Sequence, residues 1–137
     1  MTIAIVDAGP LYAAADLDDD AHTASVGALG RRDLHLVVPA LVVAEASYFV
    51  GRRLGAGAEA AFLRGLAPLD VEAPSPDDLL RMAELVEEYA DFPLGGTDAS
   101  LVALAERLDA PVIVTLDQRH FGAVRPRRRD AFELLPA

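Results

Sequence analysis

Thr2-Ile3-Ala4-Ile5-Val6-Asp7 is an apolar, β-branched run that stops at an acid, and Val112-Ile113-Val114-Thr115-Leu116-Asp117 repeats that arrangement near the other end of the chain. Short apolar runs bounded by turn-forming residues read as buried strands. The first is followed by Gly9 and Pro10, a turn signal, and the second is preceded by Pro111. Both runs deliver a carboxylate at the carboxyl end of a strand. In open α/β sheets that is where ligands bind.

Working outward, Leu34 to Val38 is a second strand closed by Pro39, Leu69 to Glu72 a short third, and Ala131 to Leu134 a last edge strand. Helical patterns lie between them. A short helix starts within Leu11 to Ala15, and others cover His22 to Leu29, Ala40 to Leu54 with a stop at Gly55, and Ala58 to Leu66, the last two forming a helical hairpin. Ser75 to Ala90 is amphipathic, with acids early and Leu79, Met82, Leu85 and Val86 on its apolar side. Gly95, Gly96 and Thr97 break the chain and cap a helix from Asp98 to Leu108. Strands alternating with helices imply an α/β protein: a sandwich of helices about a mostly parallel central sheet of four to five strands. At 137 residues the whole chain, 1–137, is expected to be a single domain.

Composition narrows the function classes. The hydrophobic content of 53% supports a sizeable core, while no apolar run reaches the ~18 residues of a membrane span. The start lacks a basic leader and a cleavage site, so a cytoplasmic location is expected. Cysteine is absent, which removes disulfides and thiolate metal sites. The net charge of -10 argues against a nucleic-acid partner, but all 12 basic residues are arginine. They cluster as Arg31 with Arg32, Arg52 with Arg53, and Arg127 to Arg129. Guanidinium forks match phosphate geometry, so local patches can hold RNA beside an acidic centre.

Four acids carry the chemistry. Glu45 is flanked at helical spacing by Leu41, Val42, Tyr48 and Phe49, which puts it beside an apolar face. Asp98 falls in a first helical turn above Leu101, Val102 and Ala105. Singly, each has an ordinary structural explanation as a helix-start residue, a buried ion-pair partner or a turn residue. Together with Asp7 and Asp117 they can converge on one cleft, where repulsion at low dielectric needs a cation to offset it. An oxygen-rich set suits Mg²⁺ or Mn²⁺ and disfavours zinc. Such a centre can activate water against a phosphodiester.

The series IAIVDAGPL, LVVAEASYFV, GGTDASLVALAERL and VIVTLDQRHF resembles the PIN-domain ribonucleases, most closely the VapC toxins of bacterial toxin-antitoxin pairs, over nearly the whole chain. The resemblance implies a PIN-like α/β/α sandwich and a metal-dependent endoribonuclease. Its acids correspond to Asp7, Glu45, Asp98 and Asp117, all as metal ligands, with Thr115 as the accompanying hydroxyl. It also implies a homodimer and a VapB-type antitoxin that occupies the site. Ala8 stands where many relatives have serine or threonine, and Gly95 and Gly96 stand where some place a further acid. A non-cleaving PIN-like module that binds RNA or a partner is the principal alternative. A receiver-like phosphoacceptor domain needs a lysine, and this chain has none. Asp16, Asp18 and Asp20 mimic a calcium loop, but Ala21 and Gly27 replace its glycine and glutamate, so a solvated turn is expected. Arg119 and His120 are candidates for phosphate contact or for surface roles.

Overall fold

Five strands, β1 (Thr2–Val6), β2 (Leu34–Pro39), β3 (Asp70–Glu72), β4 (Val112–Val114) and β5 (Glu133–Leu135), form one sheet in the computed structural model, which describes residues 1–137. Their order is β3-β2-β1-β4-β5 and every pairing is parallel. The chain therefore moves outward from β1 through β2 to β3, then returns to place β4 on the opposite side of β1. That reversal opens a crevice beyond the carboxyl ends of β1 and β4. Asp7 and Asp117 lie at its two sides.

Seven helices connect and cover the sheet: α1 (Ala8–Ala15), α2 (His22–Leu29), α3 (Ala40–Leu54), α4 (Ala56–Leu66), α5 (Pro76–Glu88), α6 (Gly96–Arg107) and α7 (Gln118–Ala123). The sequence expectation of a turn at Gly9 and Pro10 is corrected: α1 begins directly after β1. Pro10 is tolerated because the first turn of a helix has no intrahelical acceptor for its missing N–H. Asp7 caps this helix, its Oδ1 accepting from the Ala8 N–H at 2.8 Å. Gly95, rather than Thr97, occupies the cap position of α6. α3 stops where expected, at Gly55, whose φ of 94° is left-handed and costs a glycine little. The expected hairpin follows, with Glu59 of α4 packed over Gly51 of α3, too close for a β-carbon there.

α6 sets the depth of the core. Its residues Ala99 to Ala105 are all buried, among an apolar cluster of 29 residues that includes Ile5, Val38, Val42, Leu85 and Ile113. A helix buried this completely has little freedom to shift, so the residue leading it is held fast. α5 covers its outer side, starting from a capping box in which Ser75 and Asp78 exchange side-chain and backbone hydrogen bonds. Met82 and Leu85 face inward as expected, but Leu79 and Val86 do not, being 52% and 38% exposed. The carboxyl end of α6 is tied down by charge. Arg81 makes a two-pronged ion pair with Glu106 at 2.8 and 3.0 Å, and Glu106 also accepts from the Arg127 N–H.

Candidate active site

Asp7 and Thr115 form the buried floor of the crevice. Parallel pairing puts Val6 opposite Val114, and the Asp7 N–H donates to the Val114 carbonyl at 2.9 Å. The two following side chains then meet. Thr115 is fully buried, and its Oγ1 donates to Asp7 Oδ2 at 2.7 Å while accepting from the Asp117 N–H at 2.9 Å. One hydroxyl thus fixes both strand-end aspartates. Burial nevertheless raises the Asp7 pKa; its hydrogen bonds to Thr115 and Ala8 oppose this, and the charge on Asp117 adds to it.

Asp117 caps α7, with Oδ1 accepting from the His120 N–H at 3.1 Å. The His120 ring returns so that Nδ1 lies 2.7 Å from Oδ2, and Phe92 meets that ring edge to face at 4.8 Å between centroids. The closeness of His120 to Asp117 was not legible in sequence, because the six-residue α7 that brings it back is too short to show a helical period.

Asp98 and Glu45 complete the cluster from two helices. Asp98, in the first turn of α6, titrates at about 6: burial is the main cause, followed by the charges of Asp7 and Asp117, with Glu45 adding and His120 opposing. Glu45 stands at the outer rim on α3, its pKa raised by burial and then by Asp7. Each of these shifts traces in part to another member of the set. The four acids are thus electrostatically coupled, Glu45 through Asp7 and Asp98, and Asp117 through Asp7 and Asp98. No arginine forms an ion pair with any of them, and His120 is the one basic partner.

Carboxylate oxygens such as these four are the ligands that hard divalent cations take, while the Thr115 hydroxyl is already engaged by Asp7 and the Asp117 N–H. As they stand, no three acidic or histidine side chains are arranged to hold one metal ion. Elsewhere, Asp16 and Asp18 form the turn expected of them, Asp16 accepting from the Asp18 N–H and from the Tyr12 hydroxyl. Of the arginine clusters, Arg31 pairs with Asp33, Arg127 with Glu84 and Arg129 with Asp109. Arg127 lies beside Glu106, at the end of α6 away from Asp98.

Residues 4–125 match the PIN domain family. Over 134 residues the chain is 36% identical to ribonuclease VapC26 of Mycobacterium tuberculosis, covering 96% of this chain and 99% of that protein. Among solved structures, the fold superposes on M. tuberculosis VapC20, a toxin that cleaves the sarcin-ricin loop, with a TM-score of 0.73 at 18% identity, covering 80% of this chain and 86% of that one. It also superposes on VapBC2 of Rickettsia felis, solved with a promoter DNA fragment, with a TM-score of 0.70 at 18% identity and 96% coverage of each chain. With its sheet order, its crevice acids and these likenesses taken together, the chain belongs to the PIN domain family, among its VapC members.

Proposed function

We propose that this protein is a Mg²⁺- or Mn²⁺-dependent endoribonuclease, the toxin of a VapBC-type pair, acting in the cytoplasm and held in check by a VapB-type antitoxin. What supports the reading is the electrostatic coupling of Asp7, Glu45, Asp98 and Asp117 with no arginine ion-paired to any of them, each shifted acid being raised by burial and by its neighbours. Such repulsion is costly unless the site exists to attract positive charge. The 36% identity to ribonuclease VapC26 supports the same activity.

Bound among these carboxylates, the cation supplies the positive charge that polarises a phosphodiester and makes water a competent nucleophile. The chain's own residues prepare that chemistry. Thr115 holds Asp7 and Asp117 in a fixed relation, and the His120 backbone N–H donates to the Asp117 carboxylate while its ring lies against it. Asp98 leads the buried α6 and so is held at a fixed place among the other acids, where burial and the charges of Asp7 and Asp117 raise its pKa and favour a cation beside it. Glu45 at the rim completes the anionic set on the side open to solvent.

Partners follow from surface chemistry. An apolar hollow of about 450 Å³, walled by Leu11, Leu29, Phe62, Leu66 and Leu69, offers an antitoxin a place to bury its own apolar side chains. Leu79, Leu80 and Val86, exposed along α5, support pairing with a second copy as a homodimer. The deciding experiment is cleavage of structured RNA by the purified protein. Activity should require Mg²⁺ or Mn²⁺, vanish in chelator and be lost in Asp98→Asn. Cleavage that persists unchanged in chelator, or at the wild-type rate in that variant, overturns the reading.

A further inference from the structure

We propose that Arg53 is a phosphate receptor beside the acid crevice, taking a phosphate of the RNA strand next to the one being cleaved; this rests on the nuclease reading above. Its guanidinium is stacked against two rings, with the carbon centre 5.1 Å from the Tyr12 ring centroid and 4.9 Å from that of Phe49. Tyr12 is itself fixed, its hydroxyl donating to Asp16 Oδ2 at 2.6 Å, while Asp16 is held by the Asp18 N–H. Contact with two rings removes much of the rotational freedom that an exposed arginine normally has. The planar fork is thereby presented in one orientation before any ligand arrives.

Position ties this group to the candidate site. Glu45, Phe49 and Arg53 follow one another at four-residue spacing on one face of α3, and a long helical side chain leans back toward the amino end. A cavity of about 200 Å³ is bounded by Ala8, Gly9, Tyr12, Glu45, Phe49 and Arg53. Glu45 is one of the four acids and Ala8 directly follows another, so this cavity adjoins the candidate site.

Charge selects the ligand. Arg31, Arg81, Arg107, Arg127 and Arg129 are each engaged by a neighbouring carboxylate; Arg53 is among the arginines in no ion pair, and is the one that lines a cavity with Glu45. It does not reach Glu45 either, although both line the same cavity. Its nearest polar neighbours are the Tyr12 hydroxyl and, at longer range, the Asp16 carboxylate, so the guanidinium keeps N–H groups for a ligand. A guanidinium so placed matches the paired oxygens of a phosphate. Because the cavity adjoins the candidate site, an RNA backbone is the ligand that can occupy both at once.

The test uses a fluorescently labelled RNA stem-loop and the full-length protein, with Asp98→Asn as the non-cleaving background. Adding Arg53→Met should raise Kd about tenfold and reduce the slope of log Kd against log salt by about 0.7, the signature of one lost single-strand phosphate contact. Arg53→Lys should restore part of the affinity but less than half of the loss on a logarithmic scale, since the charge stays and the fork goes. Tyr12→Leu and Phe49→Leu should each weaken binding, and neither should add its full effect to Arg53→Met. In the active protein, Arg53→Met should raise KM with kcat held. Arg53 is exposed, so melting temperatures should agree closely. Equal Kd and salt slope with and without Arg53, in protein that binds the RNA, overturns this proposal alone. Failure of Asp98→Asn to bind, together with failure of the wild type to cleave, overturns the nuclease reading and this proposal with it.

Discussion

Replacing Asp98 with asparagine should make the metal-free protein more stable while abolishing its activity. The amide keeps the shape of the side chain and removes its charge. In the folded chain Asp98 titrates at about 6, against 3.8 for an unperturbed aspartate. The native state thus holds the proton more tightly than the unfolded state. Stability falls as pH rises between those values and stays reduced above them. A shift of about two units corresponds to ~3 kcal/mol at full strength. Partial solvent exposure screens this, and an anion in the first turn of α6 gains ~0.3–1 kcal/mol from the helix dipole. A net cost of about 1–2 kcal/mol remains for ionised Asp98 at about pH 7.5. Asp98→Asn should therefore melt ~3–6 °C above wild type in chelator at that pH. The gap should shrink towards zero near the unperturbed value of 3.8, where little of the stability difference has yet been lost. Thermal melts and urea titrations at acid, intermediate and neutral pH read this directly. A variant that melts at or below wild type at neutral pH would refute the argument, because the acids would then not repel at that position.

Three further outcomes are expected. Thr115→Val keeps the shape but removes the hydroxyl shared by Asp7 and Asp117; urea unfolding should show a loss of about 1–3 kcal/mol, and RNA cleavage should fall at least tenfold. Millimolar Mn²⁺ or Mg²⁺ should raise the wild-type melting temperature, by the equivalent of ~2.7 kcal/mol at about 100 times the dissociation constant, and should raise that of Asp98→Asn much less; a flat wild-type response counts against a metal site. Glu106→Ala removes the two-pronged partner of the largely buried Arg81 and leaves it only the longer pair with Glu84; urea unfolding should show a loss of about 1–3 kcal/mol, yet cleavage per folded molecule should be unchanged because Glu106 and Asp98 lie at opposite ends of α6.

The parts of the architecture legible from sequence are those written in local patterns. The β-branched runs ending at Asp7 and Asp117 gave the two central strands, and their ends gave two of the four acids. The stop at Gly55 was legible because a left-handed residue after a long helix leaves few choices but glycine. Features that depend on distant neighbours were not. Pro10 looked like punctuation, but its place inside α1 depends on Asp7 capping that helix. Leu79 and Val86 carry helical periodicity yet stay in solvent, since the period does not reveal how wide the covering layer is. The last strand runs Glu133–Leu135 rather than from Ala131, its limits being set by pairing with β4. Thr115 was singled out by family resemblance alone, and its contact with Asp7 spans 108 residues of chain.

That contact makes sheet alignment part of the enzymology. Thr115 reaches Asp7 because β4 sits beside β1 in one alignment, and successive strand residues point to opposite sides. Sliding β4 by a single rung would send the hydroxyl into the opposite layer and remove the shared anchor of both aspartates in one step. Fully buried positions that contact no solvent, such as the paired Ile5 and Ile113, therefore act as gauge blocks for the candidate site. Misfit there should silence the protein as a switch does, without a graded decline.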